Sequence, residues 1–466
     1  MTQALWTWDE LIAASGASPD GTPVWPITGV SIDSRTLQKN DLFVALKDVR
    51  DGHDFVAAAF AAGASAAVVS RSYRRKPGDG ALLTVDETLS ALQAIARAAR
   101  ARTAARVVAV TGSVGKTGTK EALRACLSRI GPTHAAEKSH NNHWGVPLTL
   151  ARMPADSRFC VVEMGMNHRG EIAPLARLAR PHVAIITTVE PVHIGYLGSL
   201  EAIAEEKSDI FLGLEPDGVA IIKRDNPQFA IMKAAAERQG ARVISFGKSQ
   251  DADVRATDIE LHPNGSDVTV DALGQTLSYR VGAPGAHLVE NSLAVVAALL
   301  ALGVDLSRAL PALAEISPPP GRGQRTVLEV GGGKALLIDE SYNANPASMR
   351  AALEALATVS RIDHPRRVVV LGDMLELGEQ APQLHLGLKE AVDAAGVDLV
   401  FACGPNMAHL FAELAPSQQG LWAETSDGLT DRLLDSIRPG DVIMIKGSLG
   451  SRMAPLVEAL KSRFGR

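Results

Sequence analysis

The sequence predicts an α/β protein built as three successive units. Three observations carry this prediction. Short apolar runs alternate with helix-patterned segments, a glycine-rich turn joins one apolar run directly to a helix, and the tract Ser317-Pro-Pro-Pro-Gly-Arg-Gly323 interrupts the rhythm. Strands alternating with helices argue parallel sheets covered on both faces. Three prolines flanked by glycine fit neither regular element and set a boundary near residue 318. The units are a small α/β unit at 1–85, a central parallel-sheet unit at 86–318 and a C-terminal parallel-sheet unit at 319–466.

In the first unit, Ile32–Leu37 and Asn40–Leu46 read as short strands, Asp54–Ala62 as a helix and Ala66–Val69 as a strand. The basic, Gly- and Pro-bearing tract 71–80 reads as an exposed loop. A helix over about 87–104 leads into the central unit, whose expected strands are Val107–Val110, Phe159–Glu163, Val183–Val189, Val219–Ile222 and Val243–Phe246. Strand-like pieces follow over 253–281, then a helix over Leu288–Leu302. In the last unit, strands at Leu336–Asp339, Val368–Leu371, Leu399–Cys403 and Val442–Lys446 each end in a Gly- or Asn-bearing loop. Ligands of open parallel sheets bind at the carboxyl ends of strands, so these loops should form one working edge.

Composition narrows the function. The chain has 466 residues, 46% hydrophobic and 21% charged, enough to bury several cores. Its formal net charge is −5 and no basic block stands out, which argues against a nucleic-acid partner. Cys126, Cys160 and Cys403 are few and far apart, suggesting neither a disulfide framework nor a zinc site. No basic-then-apolar leader pattern is present, and the most apolar stretch, 293–304, is too short to span a bilayer. A cytoplasmic protein without membrane insertion is expected.

The chemistry centres on Val107-Val-Ala-Val-Thr-Gly-Ser-Val-Gly-Lys-Thr-Gly-Thr119. Gly112, Ser113, Val114 and Gly115 turn without bulk, and Lys116, Thr117 and Gly118 open a helix. Free N–H groups at a helix start cradle phosphate, Lys116 adds a mobile positive charge, and the Thr117 hydroxyl is suited to Mg²⁺. Gly-rich strand–helix turns also arise for packing alone, but Gly-Lys-Thr directly after an apolar strand favours a nucleoside triphosphate. Glu163 closes a neighbouring strand, where a carboxylate either binds Mg²⁺ or caps a helix. His193 lies in a Gly/Pro loop, and Lys207, in Ala204-Glu-Glu-Lys-Ser-Asp-Ile210, reads locally as a solvated helix face.

Together with Gly285-Ala-His287 and Asn291, these segments resemble the Mur ligase family, the ATP-dependent amide-forming enzymes of peptidoglycan synthesis. The motifs Asp339-Glu-Ser-Tyr-Asn-Ala-Asn-Pro346 and Leu371-Gly-Asp-Met-Leu-Glu-Leu-Gly378 resemble the member that joins D-Ala-D-Ala to UDP-muramoyl tripeptide. The resemblance implies a UDP-binding N-terminal unit, a central ATPase unit and a Rossmann-like C-terminal unit. A water-labile acyl phosphate calls for domain closure that excludes solvent, with the proline-rich boundary as the expected hinge. It implies that Thr117, Glu163, His193 and Lys207 serve two Mg²⁺ sites, with Lys207 carbamylated as in several members. Lys116, Glu163, His193 and Lys207 become the expected catalytic residues. Asn291 is the expected adenine contact, Arg322 a nucleotide contact, and Asp339, or Glu340 in the other register, the ribose contact. Ser34, Arg35, His53, Asn141, Asn142, Asn343, Asn345 and Asp373 are the expected substrate contacts. A monomer is expected. This chain departs from the family at Asp339-Glu340, where Asp-Asp is common, and at Lys223, where Asn often stands. Two rivals predict other things. Another amino-acid-adding Mur ligase would carry Asp-Asn-Pro-Arg in its last unit. A nucleotide switch would carry a guanine-reading Asn-Lys-x-Asp. Neither motif is found.

Overall fold

The computed structural model describes residues 4–465 apart from 137, 138, 193, 263 and 319. Three sheets follow one another along the chain. The first is five-stranded, in the order Ser18–Asp20, Ala81–Val85, Ala66–Ser70, Asp41–Val44, Gly29–Ser31, parallel except for the first strand. The stretch Ile32–Leu37 is a turn, contrary to the strand expected there. The Asp33 carboxylate accepts from the Arg35 N–H at 3.0 Å and the Leu37 N–H returns to the Asp33 carbonyl. Such local bonds offer the backbone an alternative to a sheet ladder.

The central sheet has nine strands and is mixed. Thr133–Ala135, Phe159–Glu163, Arg106–Thr111, Val183–Ile186, Val219–Lys223, Arg242–Gly247 and Val254–His262 run parallel. Gly265–Ala272 and Gln275–Val281, within the strand-like pieces expected over 253–281, add an antiparallel meander at one edge of the expected parallel sheet. The strand expected over Val183–Val189 stops at Ile186, because Thr188 turns to accept from the Ser113 N–H. Arg106–Thr111 lies between two parallel neighbours and must be apolar on both faces. Val108 and Val110 face one core while Val107 and Ala109 face the other. The same register puts the last residues of Arg106–Thr111 and Phe159–Glu163 side by side, with Val110 opposite Glu163. Cys126 is a core thiol of the following helix, its pKa pushed up to about 12 by burial.

Helix Thr88–Ala101 joins the first two sheets. Its Leu92, Ile95 and Ala99 pack with Val68 and Leu83 of the first sheet and with Leu148 and Ala151 of the second region. Each buried Leu or Ile contributes roughly 1.5–3 kcal/mol. The Trp6 indole N–H donates to the Ala151 carbonyl at 2.8 Å, and the buried Arg100 guanidinium donates to the carbonyls of Ala179 and Arg180.

The third sheet runs Gln324–Val330, Gly333–Glu340, Asp441–Lys446, Arg366–Gly372, Leu399–Cys403, Gln419–Ala423. The first two form an antiparallel hairpin and the rest are parallel. The sequence reading missed Gln324–Val330 and Gln419–Ala423 because their outer positions are polar or half-buried and hide the apolar run.

His182 supplies a pH test of the central sheet. Its Nδ1 accepts from the Val107 N–H at 3.0 Å, which requires the neutral ring. Burial, with the charges of Arg106 and Arg100, lowers its pKa to about 4. The folded value lies below the unfolded value of about 6.5, so stability is full above the unfolded value and is lost as pH falls toward 4. The urea midpoint is expected to fall over this range, and to fall less in His182→Gln. Identical profiles for the two proteins would remove His182 from the cause.

Candidate active site

The glycine-rich turn is sterically specified. Gly112 has φ +146° and packs against Thr187, while Gly115 has φ +84° and a Cβ there would meet the Asn291 carboxamide oxygen at 2.5 Å. Asn291, in the first turns of helix Ala286–Leu302, therefore covers the loop. The Ser113 N–H donates to the Thr188 carbonyl at 2.9 Å and its hydroxyl to the Glu190 carbonyl at 3.0 Å, fixing the turn from the neighbouring strand end. Helix Lys116–Ser128 begins at Gly115, and its first N–H groups have no intrahelical acceptor. The Lys116 ammonium folds back on the Gly112 and Ser113 carbonyls at 2.6 and 3.4 Å. Burial lowers its pKa, and Glu163 opposes the shift.

Beside it lies a set of hard oxygen donors. The Thr117 hydroxyl donates to Glu163 Oε2 at 2.9 Å, and the Asn141 carboxamide donates to Oε1 at 2.8 Å. Glu163 is 1% exposed, so both its oxygens are held where the strand ends. Ser139, which the sequence reading did not single out, sits 3.3 Å from the Thr117 hydroxyl. The approach to Ser139 is anchored by Lys120, whose fully buried ammonium donates to the Ala136 carbonyl at 2.8 Å and pairs with Glu121. Hydroxyl and carboxylate oxygens are the donors Mg²⁺ prefers. His193 lies outside the described residues.

Lys207 corrects the solvated-face reading, because it is 2% exposed on helix Leu200–Ser208. Among the described residues its ammonium has no hydrogen-bond partner. Burial, reinforced by the charge of Lys116 and opposed by Glu206, holds its pKa well below the usual lysine range. The two preceding acids differ. Glu205 is exposed, whereas Glu206 is buried and accepts from the N–H groups of Gly170, Glu171 and Ile172.

The third sheet closes the site from the opposite side. One cavity of about 350 Å³ is lined by the loop from Ser113 to Gly118, by Ser139, Asn141, Glu163 and Asn291, and by Arg322, Glu340, Tyr342, Asn343, Asn345 and Lys446. Its apolar part, including Ala122, Val281, Leu288 and Ile316, suits a flat base beside a phosphate loop. The Arg322 guanidinium stacks 4.0 Å over the Tyr342 ring and reaches the Ser139 hydroxyl at 3.5 Å, linking the proline-rich boundary to Thr117.

Several expected contacts are occupied within the protein. Asp339 accepts from the Gly321 N–H and from the Ser341 N–H and hydroxyl, bracing the Gly321–Arg322 turn. Of Asp339 and Glu340, only Glu340 lines the cavity. Asp373 is 4% exposed and accepts from the Asn406 and Met407 N–H groups and the Asn406 carboxamide. It anchors a loop and is not among the residues that line the cavity. Asn345 lines the cavity and also caps helix Pro346–Ala357, accepting from the Ser348 N–H. Asn343 lines the cavity while its side-chain oxygen accepts from the Ala344 N–H. The Asn142 side chain caps the turn into helix Gly145–Ala151 and lines a second cavity with Asn141, Arg97 and Met166.

Ser34, Arg35 and His53 line neither cavity. Ser34 and Arg35 sit in the turn after strand Gly29–Ser31, and His53 sits in the short 3-10 helix Gly52–Phe55 that follows strand Asp41–Val44. Arg35 is exposed and pairs with Asp33 at 2.7 Å. The His53 Nε2 accepts from the Ser70 N–H at 2.9 Å.

Comparisons with known proteins agree with this geometry. Residues 26–109 match the description "Mur ligase family, catalytic domain", residues 110–299 "Mur ligase middle domain" and residues 322–449 "Mur ligase, glutamate ligase domain". The chain is 35% identical to the UDP-N-acetylmuramoyl-tripeptide--D-alanyl-D-alanine ligase of Escherichia coli, over 93% of this chain and 94% of that protein. It is 34% identical to the enzyme of the same name from Bacillus subtilis, over 93% of each. Among solved structures, MurF from Acinetobacter baumannii superposes with a TM-score of 0.85 at 32% identity, covering 99% of this chain and 100% of that one. MurF ligase from Thermotoga maritima in complex with ADP superposes with a TM-score of 0.76 at 25% identity, covering 94% of this chain and 98% of that one. With three consecutive family descriptions spanning most of its length and relatives this similar end to end, the chain belongs to the Mur ligase family.

Proposed function

We propose that this protein joins D-alanyl-D-alanine to UDP-N-acetylmuramoyl tripeptide at the expense of ATP, forming the UDP-muramoyl pentapeptide of peptidoglycan synthesis. The observation that carries the reading is the single cavity in which the phosphate loop, Thr117 and Glu163 face the Ser341–Pro346 loop of the third sheet. A carboxylate does not acylate an amine at neutral pH until it carries a better leaving group. A carboxylate oxygen of the tripeptide attacks the γ-phosphorus, the bond to the bridging oxygen breaks, and ADP leaves. The dipeptide amine then attacks the acyl carbon, loses its proton, and inorganic phosphate departs as the amide forms.

The residues present supply what this route needs. The turn from Gly112 to Gly118 and Lys116 hold the phosphates against the helix start. Thr117, Glu163, His193 and Lys207 would hold Mg²⁺ in two sites, and the metal, when bound, offsets phosphate charge as the carboxylate approaches. The acyl phosphate is water-labile, so we assign the Ser317–Gly323 boundary as the hinge on which the third unit closes. In this reading 1–85 binds the UDP-sugar, 86–318 is the ATPase unit and 319–466 receives the acceptor. Among the described residues no helix is long and apolar enough to cross a membrane, and the nucleotide substrates point to the cytoplasm.

The test is ATP-dependent phosphate release with UDP-muramoyl tripeptide, comparing D-Ala-D-Ala with single amino acids and with no acceptor. Release that requires the dipeptide, with the pentapeptide seen by mass, is expected. Release indifferent to acceptor would overturn the assignment.

Asn345 separates structure from recognition. Loss of the cap in Asn345→Ala costs about 1 kcal/mol, whereas serine is also a strong N-cap residue. Asn345→Ser is therefore expected to keep the wild-type melting temperature while raising KM for the dipeptide far more than for ATP. Equal rises in both constants would reduce Asn345 to its capping role.

A further inference from the structure

We infer that Lys446 binds the carboxylate of the acceptor dipeptide, an assignment that rests on the function proposed above. Lys446 ends strand Asp441–Lys446, which lies between Gly333–Glu340 and Arg366–Gly372 in the third sheet. It thus sits at the carboxyl end of an interior parallel strand, where ligands of such sheets gather. Its side chain is 3% exposed and lines the cavity facing the phosphate loop. The ammonium donates to Glu340 Oε2 and to the Asn343 carbonyl, both at 3.1 Å. An ammonium has three donors, and no third protein acceptor is present among the described residues. Glu340 and Asn343 fix the ammonium, leaving one donor for a ligand in the cavity it lines.

The other cations of this cavity are committed to the nucleotide side. Lys116 lies on the carbonyls of the phosphate loop, and Arg322 stacks on Tyr342 while reaching Ser139 beside Thr117. His287 also lines the cavity, but burial lowers its pKa and favours the neutral ring. A zwitterionic acceptor approaching from the third sheet needs a cation for its carboxylate on that wall, and among the described residues Lys446 is the one placed there. Bound so, the carboxylate end is tethered at the third sheet while the amine end is free to reach the acyl carbon. The site would favour small peptides with a free terminal carboxylate over their amides.

The experiment uses the full chain with ATP and UDP-muramoyl tripeptide, and compares D-Ala-D-Ala with D-alanyl-D-alaninamide as acceptor. A hydrogen bond to a charged group, at roughly 1.5–3 kcal/mol, predicts a wild-type preference for the free carboxylate on the order of 10- to 100-fold in kcat/KM. Lys446→Met is expected to bring this ratio close to one, chiefly through KM for the dipeptide, with ADP affinity unchanged. Lys446→Arg should retain part of the preference, and it decides the matter if the methionine variant does not fold. A wild-type enzyme that uses both acceptors equally, or substituted enzymes that keep the full preference, would overturn the inference. So would weaker ADP binding with the acceptor ratio preserved, which would make the ligand a phosphate. A wild-type enzyme that forms product with neither acceptor would instead sink the function on which the inference rests.

Discussion

Lys116→Ala is expected to lower ligation at saturating ATP by on the order of 10²-fold or more, equivalent to several kcal/mol at the transition state. The ammonium sits 2.6 Å from the Gly112 carbonyl, over the turn in which the outer phosphates would lie. Its removal deletes the mobile charge that meets the γ-phosphoryl group as the carboxylate attacks. The turn itself should survive, because the Ser113 N–H to Thr188 bond and the Ser113 hydroxyl to Glu190 bond do not involve Lys116. The fold is therefore expected to melt cooperatively near the wild-type temperature, so that the lost activity reports chemistry. Acceptor-dependent phosphate release at saturating ATP is the measurement. Wild-type turnover in the alanine variant would remove Lys116 from the phosphate cradle.

What was legible in the sequence was what local sterics and periodicity dictate. Four apolar residues, a turn that only small residues can make and a helix start specify the 107–119 segment without reference to the rest of the chain. The strand Phe159–Glu163 was read with its observed bounds, because a run buried on both faces is apolar throughout and ends at its first acid. The rest depended on contacts far apart in sequence. Asp339 and Glu340 are adjacent and both acidic, and strand alternation sends them to opposite faces, so only the sheet's placement assigns one to the cavity. Asp373 occupies a distinctive loop, yet its oxygens are taken by the backbone of the Asn406–Met407 turn, a partner 33 residues away. Lys446 ended a correctly read strand, and its strand-end position was the signal that was passed over. Ile32–Leu37 failed for the opposite reason, since Asp33 satisfies its neighbours locally and leaves no ladder to join.

Lys207 is the residue whose local sequence misled most, and its substitution should be nearly as damaging as that of Lys116. Glu205-Glu206-Lys207 suggests an exposed helix face, but only Glu205 is exposed, and the carboxylate of Glu206 is engaged by three N–H groups. That leaves Lys207 buried near Lys116, without a hydrogen-bond partner among the described residues. Two buried ammonium groups so placed repel, and an ammonium has no lone pair for Mg²⁺. The neutral amine can attack CO₂, forming an N–C bond and releasing a proton, which gives a carbamate. This replaces the repulsion by attraction to Lys116 and offers the hard oxygens Mg²⁺ prefers. Lys207→Ala is accordingly expected to be inactive, to bind ADP with near wild-type affinity and to recover part of its ligation when acetate or another short carboxylate is added. The wild-type protein held under CO₂ should carry about 44 Da of extra mass on this lysine, the mass of CO₂ added to the neutral amine. Full activity of the alanine variant would show that a buried lysine at this place serves packing alone. An inactive variant indifferent to acetate, with no added mass on the wild type, would leave Lys207 acting as the plain amine.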